Sequence, residues 1–62
     1  MSANNYIEIH KEGKEYVILD LCIDTDRGIE LHRLKELKAA IEWAETYSQD
    51  GMVEYGIRFG AI

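Results

Sequence analysis

Sixty-two residues make one domain, 1–62, and a chain this short buries only about 60 % of the surface it exposes when unfolded. Twelve Asp and Glu against seven Lys and Arg leave a net charge of −5, which repels phosphate backbones and disfavours direct nucleic-acid binding. A single cysteine, Cys22, excludes an intramolecular disulfide, and no Cys/His cluster offers structural zinc. Stability must then come from close packing in a monomer or from a second copy, with the balance towards a homodimer.

The N-terminal stretch MSANNYIEIH is polar where a signal peptide is basic and then apolar. No apolar run reaches the length of a membrane span, so a cytoplasmic protein is expected. Residues 1–4 read as a loose end. Tyr6 to His10 alternates as a half-buried strand does, Glu12-Gly13-Lys14 supplies a turn, and Glu15 to Ile23 is a second strand rich in β-branched and aromatic residues.

Sidedness argues the register of this hairpin. Val17, Leu19, Leu21 and Ile23 form one apolar side of the second strand. Setting Lys11 opposite Glu15 brings Ile9 against Val17 and Ile7 against Leu19, with a three-residue loop or a bulged shorter one. A plain two-residue Gly13-Lys14 loop would set His10 opposite Val17 and mix polar with apolar side chains.

Asp24 to Gly28 is a second turn. Ile29 to His32 reads either as a short third strand, pairing Ile23 with Ile29 and Leu21 with Leu31, or as an early helix start capped by Asp26. The strand keeps the apolar side unbroken and is favoured. LKELKAAIEWAETY then carries Leu34, Leu37, Ala40, Ile41, Ala44 and Tyr47 at three- and four-residue intervals, which predicts an amphipathic helix from about Arg33 to Ser48. Asp50-Gly51 ends it. Met52 to Phe59 is the last strand, with Val53, Tyr55, Ile57 and Phe59 turned inward. The expected fold is α+β, in the order β-β-β-α-β, with one helix covering one face of a mixed sheet. A right-handed crossover gives the strand order 3-2-1-4. The uncovered face would show Tyr6, Glu8, His10, Tyr16, Ile18, Asp20, Cys22, Glu54 and Arg58, a surface suited to a dimer or partner contact around Tyr16 and Ile18.

Candidate chemistry is sparse. Asp24-x-Asp26 opens like a calcium loop, but Gly28 stands where the third oxygen ligand belongs and Glu30 comes too early, so a solvated turn is expected and no metal. In the register above, Asp20, His32 and Tyr6 share one row, with Cys22 two residues from Asp20. Cys/His/Asp catalysis needs an electropositive cleft to lower the thiol pKa, which an acidic single-layer sheet does not supply. A polar cross-strand pair is the expectation, with no enzyme, catalytic residue or cofactor. Trp43 and Tyr47 lie at the margin of the buried stripe as core or rim. The helix charges are more informative: Arg33 and Lys35 sit in its first turns, while Glu42 and Glu45 fall towards its C-terminal end, against the dipole. Glu42, Glu45, Asp50 and Glu54 are the candidate acidic patch for a basic protein partner.

The β-β-β-α-β order, the acidity and the tight Glu12-Gly13-Lys14 hairpin resemble a HicB-type antitoxin domain, a partial RNase H-like fold. The resemblance implies binding and neutralisation of a small basic ribonuclease toxin. The helix entry His32-Arg33-Leu34-Lys35-Glu36-Leu37-Lys38-Ala39 departs from that family's Gly-x-Ser/Thr entry, so no functional residue carries over. Short acidic phage inhibitors of host nucleic-acid enzymes are similar in size and charge. The expected function is thus a non-enzymatic interaction module that inhibits a basic nucleic-acid-processing protein. The alternative is an accessory subunit docking through its outer sheet face, and a small enzyme using Asp20, His32 and Cys22 is the third reading.

Overall fold

The computed structural model describes residues 4–25, 27–49 and 53–62. Its elements are β1 (Asn5–Glu12), β2 (Glu15–Cys22), β3 (Gly28–Leu34), α1 (Leu37–Tyr47) and β4 (Ile57–Phe59). They build one four-stranded sheet in the order β3-β2-β1-β4, with β4 parallel to β1 and the other pairs antiparallel. The α+β class and the strand order 3-2-1-4 are those expected from the sequence.

The register of the first hairpin differs. Glu12 pairs with Glu15, so the loop is the two-residue Gly13-Lys14, and His10 lies opposite Val17, Ile9 opposite Ile18 and Ile7 opposite Asp20. Turn chemistry explains this. Gly13 has φ +63 while Lys14 keeps a negative φ, the pattern of a type II′ turn, whose twist matches that of the flanking strands without a bulge. The shift by one residue reverses every side chain of β2.

Helix α1 therefore covers Ile7, Ile9 and Ile18, not Leu19 and Leu21. These three isoleucines are fully buried with Ala40 and Ala44, and Tyr16, Leu31, Leu34, Leu37, Ile41, Tyr47 and Ile57 pack around them. Two alanines at four-residue spacing let the helix axis approach the sheet closely. Tyr16 and Ile18, expected on the outer face, lie under the helix, and Ile18 is 0 % exposed. Asp20 also turns inward, where its carboxylate accepts hydrogen bonds from Asn5 Nδ2 (2.7 Å) and the Tyr47 hydroxyl (3.0 Å). Such donors offset the cost of turning a half-buried carboxylate towards the core.

β3 is longer than expected and pairs elsewhere: Leu21 faces Gly28, Asp20 faces Ile29 and Ile18 faces His32. A bulge opposite Ile18 and Leu19 resolves a conflict of period in Ile29-Glu30-Leu31-His32-Arg33-Leu34. One extra residue lets Leu31 and Leu34 both pack on the core while Glu30 and Arg33 share the open face. Gly28 can only be glycine there, because a Cβ would fall 1.9 Å from the Asp20 carbonyl oxygen.

Because β3 continues to Leu34, the helix starts at Leu37 and not near Arg33. Glu36 keeps an extended backbone (φ −118°, ψ 134°), and its carbonyl accepts the first helical bond, from the Ala40 N–H at 3.0 Å. The helix closes through Ser48, whose N–H reaches the Ala44 and Glu45 carbonyls. The expected Asp50-Gly51 stop and the Asp26 cap lie outside the described residues. β4 is shorter than the expected Met52–Phe59: Gly56 takes φ +81, breaking the extended run just before Ile57. Tyr55 and Phe59, expected inward, are 49 % and 55 % exposed, because α1 packs mainly over β2, β3 and β1 and leaves the β4 edge uncovered.

Candidate functional site

Helix α1 offers the most developed surface. Ala39, Glu42, Trp43, Thr46 and Tyr47 line a groove of about 450 Å³ open to solvent. Their spacing of three and four residues makes one stripe beside the buried Ala40/Ala44 stripe. Trp43 and Tyr47 stack with ring centroids 5.6 Å apart and planes 12° from parallel, and His32 of β3 closes on Trp43 at 5.2 Å. The stack is anchored from below, since the Tyr47 hydroxyl is held by Asp20. Burial, and then this carboxylate, raise the Tyr47 pKa, so the phenol stays protonated and keeps donating.

Glu42 and Glu45 are exposed, and among the described residues neither forms an ion pair. The last turn of the helix carries no basic residue that would suit its dipole. Glu42 is at the groove itself. Glu54 is exposed but belongs to a different locality, where its carboxylate accepts the backbone N–H of Asn4 (2.9 Å) at the start of β1. Asp50 lies outside the described residues. Of the expected acidic patch, the structure thus joins Glu42 and Glu45 on one helix and places Glu54 at the β1 end. What sequence reasoning missed is the aromatic floor. Its signal was present as a second stripe, Ala39, Trp43 and Tyr47 at four-residue spacing.

The open sheet face has a different character. Glu8, His10 and Glu12 alternate along β1 and so share that face. His10 Nδ1 lies 3.1 Å from Glu8 Oε2, and Nε2 lies 3.1 Å from Glu12 Oε2. A neutral imidazole has one N–H for two carboxylates, whereas the imidazolium donates to both. The Glu12 hydrogen bond in particular, with that of Glu8, raises the His10 pKa above its ordinary 6.5. Arg33 crosses from β3, donating to Glu30 (2.8 Å), Glu12 (3.3 Å) and Glu15 (3.4 Å). His10 and then Arg33 hold the Glu12 carboxyl below the ordinary range, and Arg33 does the same for Glu30.

The row of Asp20, His32 and Tyr6 does not form. Tyr6 stands on the open face beneath Arg58, whose guanidinium lies 4.5 Å from the ring centroid, while Asp20 turns towards the helix. His32 is opposite Ile18, in a different rung from Asp20. Cys22 ends β2, half-buried, with its thiol pKa lowered by the Asp24 backbone N–H and then the Thr25 hydroxyl. No family model, curated protein or solved structure matches the chain.

Proposed function

We propose that the protein is a non-enzymatic interaction module that binds a basic protein through α1, in the manner of small acidic inhibitors and antitoxins of nucleic-acid-processing proteins. The observation that carries this reading is Glu42, an unpaired carboxylate beside the stacked Trp43 and Tyr47 rings. A lysine or arginine of the partner entering the groove meets an aromatic floor and a carboxylate together. Glu45, three residues on, extends the negative surface, and the net charge of −5 steers a basic partner towards it. The non-catalytic reading is supported by the offset of His32 from Asp20, which stand in different rungs, opposite Ile18 and Ile29 respectively. The proposed setting is cytoplasmic, with a homodimer as the working unit.

A second reading, an accessory subunit docking through the open sheet face, is favoured by Leu19 and Leu21. Both are only partly buried there, on the side away from the helix.

The test compares wild-type protein with the Glu42→Lys/Glu45→Lys double variant as baits in nuclease-treated extract of the source cell. The α1 reading predicts a basic nucleic-acid-processing protein held by the wild type at low salt. It is released at high salt, because charge steering is screened over about 8 Å at physiological ionic strength. The double variant folds normally and loses it. A partner retained equally by the variant at all salt concentrations contradicts this reading and supports the sheet-face one.

A further inference from the structure

The two edges of the sheet are built differently. β3 is guarded by its bulge and by the charged Glu30 and Arg33, devices that discourage strand pairing between molecules. β4, at the opposite edge, has no bulge and a single charged residue. Residues 55–62, YGIRFGAI, form the longest stretch of the chain without Asp or Glu, and their sole charge, Arg58, is turned onto Tyr6. Tyr55, Phe59 and Ile62 in this stretch are 49 %, 55 % and 53 % exposed, three of the four most exposed large apolar residues among those described.

The backbone points the same way. The Ile7 N–H donates to the Gly56 carbonyl and the Gly60 N–H donates to the Ile9 carbonyl, both at 2.9 Å. The even-numbered peptide groups of β4 therefore face β1. By alternation along the strand, the N–H and C=O groups of Ile57 and Phe59 point out of the sheet edge.

Charge selects the occupant. A basic partner gains little here, because β4 carries no carboxylate of its own and the nearest one, Glu8 on β1, is already engaged by His10. Two copies of a −5 chain repel wherever their acids meet, and this edge is where they can approach without that cost. We propose that a second copy of the chain pairs with β4 antiparallel across a two-fold axis, joining the two sheets into one. The proposal rests on the homodimer reading and specifies its surface. Register follows from the side chains. Centring on Arg58 would set two guanidinium groups opposite each other, which disfavours the pair. Centring on Phe59 sets the two phenylalanines opposite each other, exchanging both outward hydrogen bonds, with Arg58 across from a glycine.

The test is sedimentation of the wild type, Phe59→Pro, Phe59→Lys and, as a control on the open face, Leu19→Lys, with circular dichroism confirming the fold of each. Proline at 59 removes only an outward donor and is compatible with an edge strand. Lysine at 59 leaves the backbone intact and sets like charges face to face, so it serves if the proline variant does not fold. The expected result is a wild type and a Leu19→Lys variant at twice the 7.2 kDa chain mass, with both Phe59 variants at the single-chain mass. The Phe59 amide should also exchange slowly with solvent in the wild type. A wild type that stays monomeric up to millimolar concentration overturns the dimer reading itself. A wild-type dimer that survives both Phe59 changes and is lost in Leu19→Lys overturns only the β4 surface, moving the contact to the open face.

Discussion

The two faces of the sheet carry similar residues from β2 and close over them by different means. On the helix face, Ile18 is sealed by Ala40 and Ala44, and the inward Asp20 is answered by Asn5 and Tyr47. On the open face, Val17 is 1 % exposed without any second layer. It lies between His10 and Arg33 in the ladder, and these long side chains, tied down by Glu8, Glu12, Glu15 and Glu30, close over it. One face is dry and set by packing. The other is a charged lattice whose strength depends on pH and salt.

The largest expected effect separates the faces directly. Ile18→Ala removes a fully buried side chain under the helix and should cost about 2–5 kcal/mol in urea unfolding. Leu19→Ala, its neighbour on the open face, should cost about 1 kcal/mol, since only part of the side chain leaves water. Reversal of that order would mean that the helix covers the other face of β2. Next comes the inward carboxylate. Asp20→Ala leaves the Tyr47 hydroxyl without its acceptor and should cost about 1–3 kcal/mol, while Tyr47→Phe should cost nearer 1 kcal/mol. Equal stability of Asp20→Ala and wild type would show that the inward network is not stabilising.

The smallest effect sharpens the account of the open face. His10 has a folded pKa above the unfolded 6.5, so its contribution is fully present below 6.5 and fades as the pH rises through the folded value. Glu12 and Glu30 have pKa values below 4.5, so their contributions are present above 4.5 and fade as the pH falls through the folded values. Stability should therefore be highest between these limits, and His10→Gln should flatten the alkaline side and, because His10 is the main group holding the Glu12 carboxyl down, also lessen part of the acid-side loss. An unchanged alkaline slope in that variant would remove His10 from the lattice.

Much of the architecture was legible in the residues. The alternation of Tyr6–His10, the helical stripe ending at Tyr47 and the handedness of the crossover together lead to the order β3-β2-β1-β4. The register of β2 was not. Tyr16-Val17-Ile18-Leu19 is apolar on both sides, so burial alone does not choose a face, and the charge of Asp20 argues against its own side. Its partners lie 15 and 27 residues away, a tertiary solution that local sidedness does not show. Turn geometry at Gly13 carried the decision. At the candidate site, the exposure of Glu42 and Glu45 follows from helical periodicity. The groove needed the stacking of Trp43 on Tyr47, which depends on how closely the two alanines seat the helix.

Which side of β2 meets the helix decides which surface is left for a partner, and nuclear Overhauser contacts read it directly. The account predicts cross-peaks from the Ile18 methyls to the Ala40 and Ala44 methyls and none from Leu19. Cross-peaks from Leu19 to those alanines, with Ile18 silent, would contradict it and return Tyr16 and Ile18 to the docking surface.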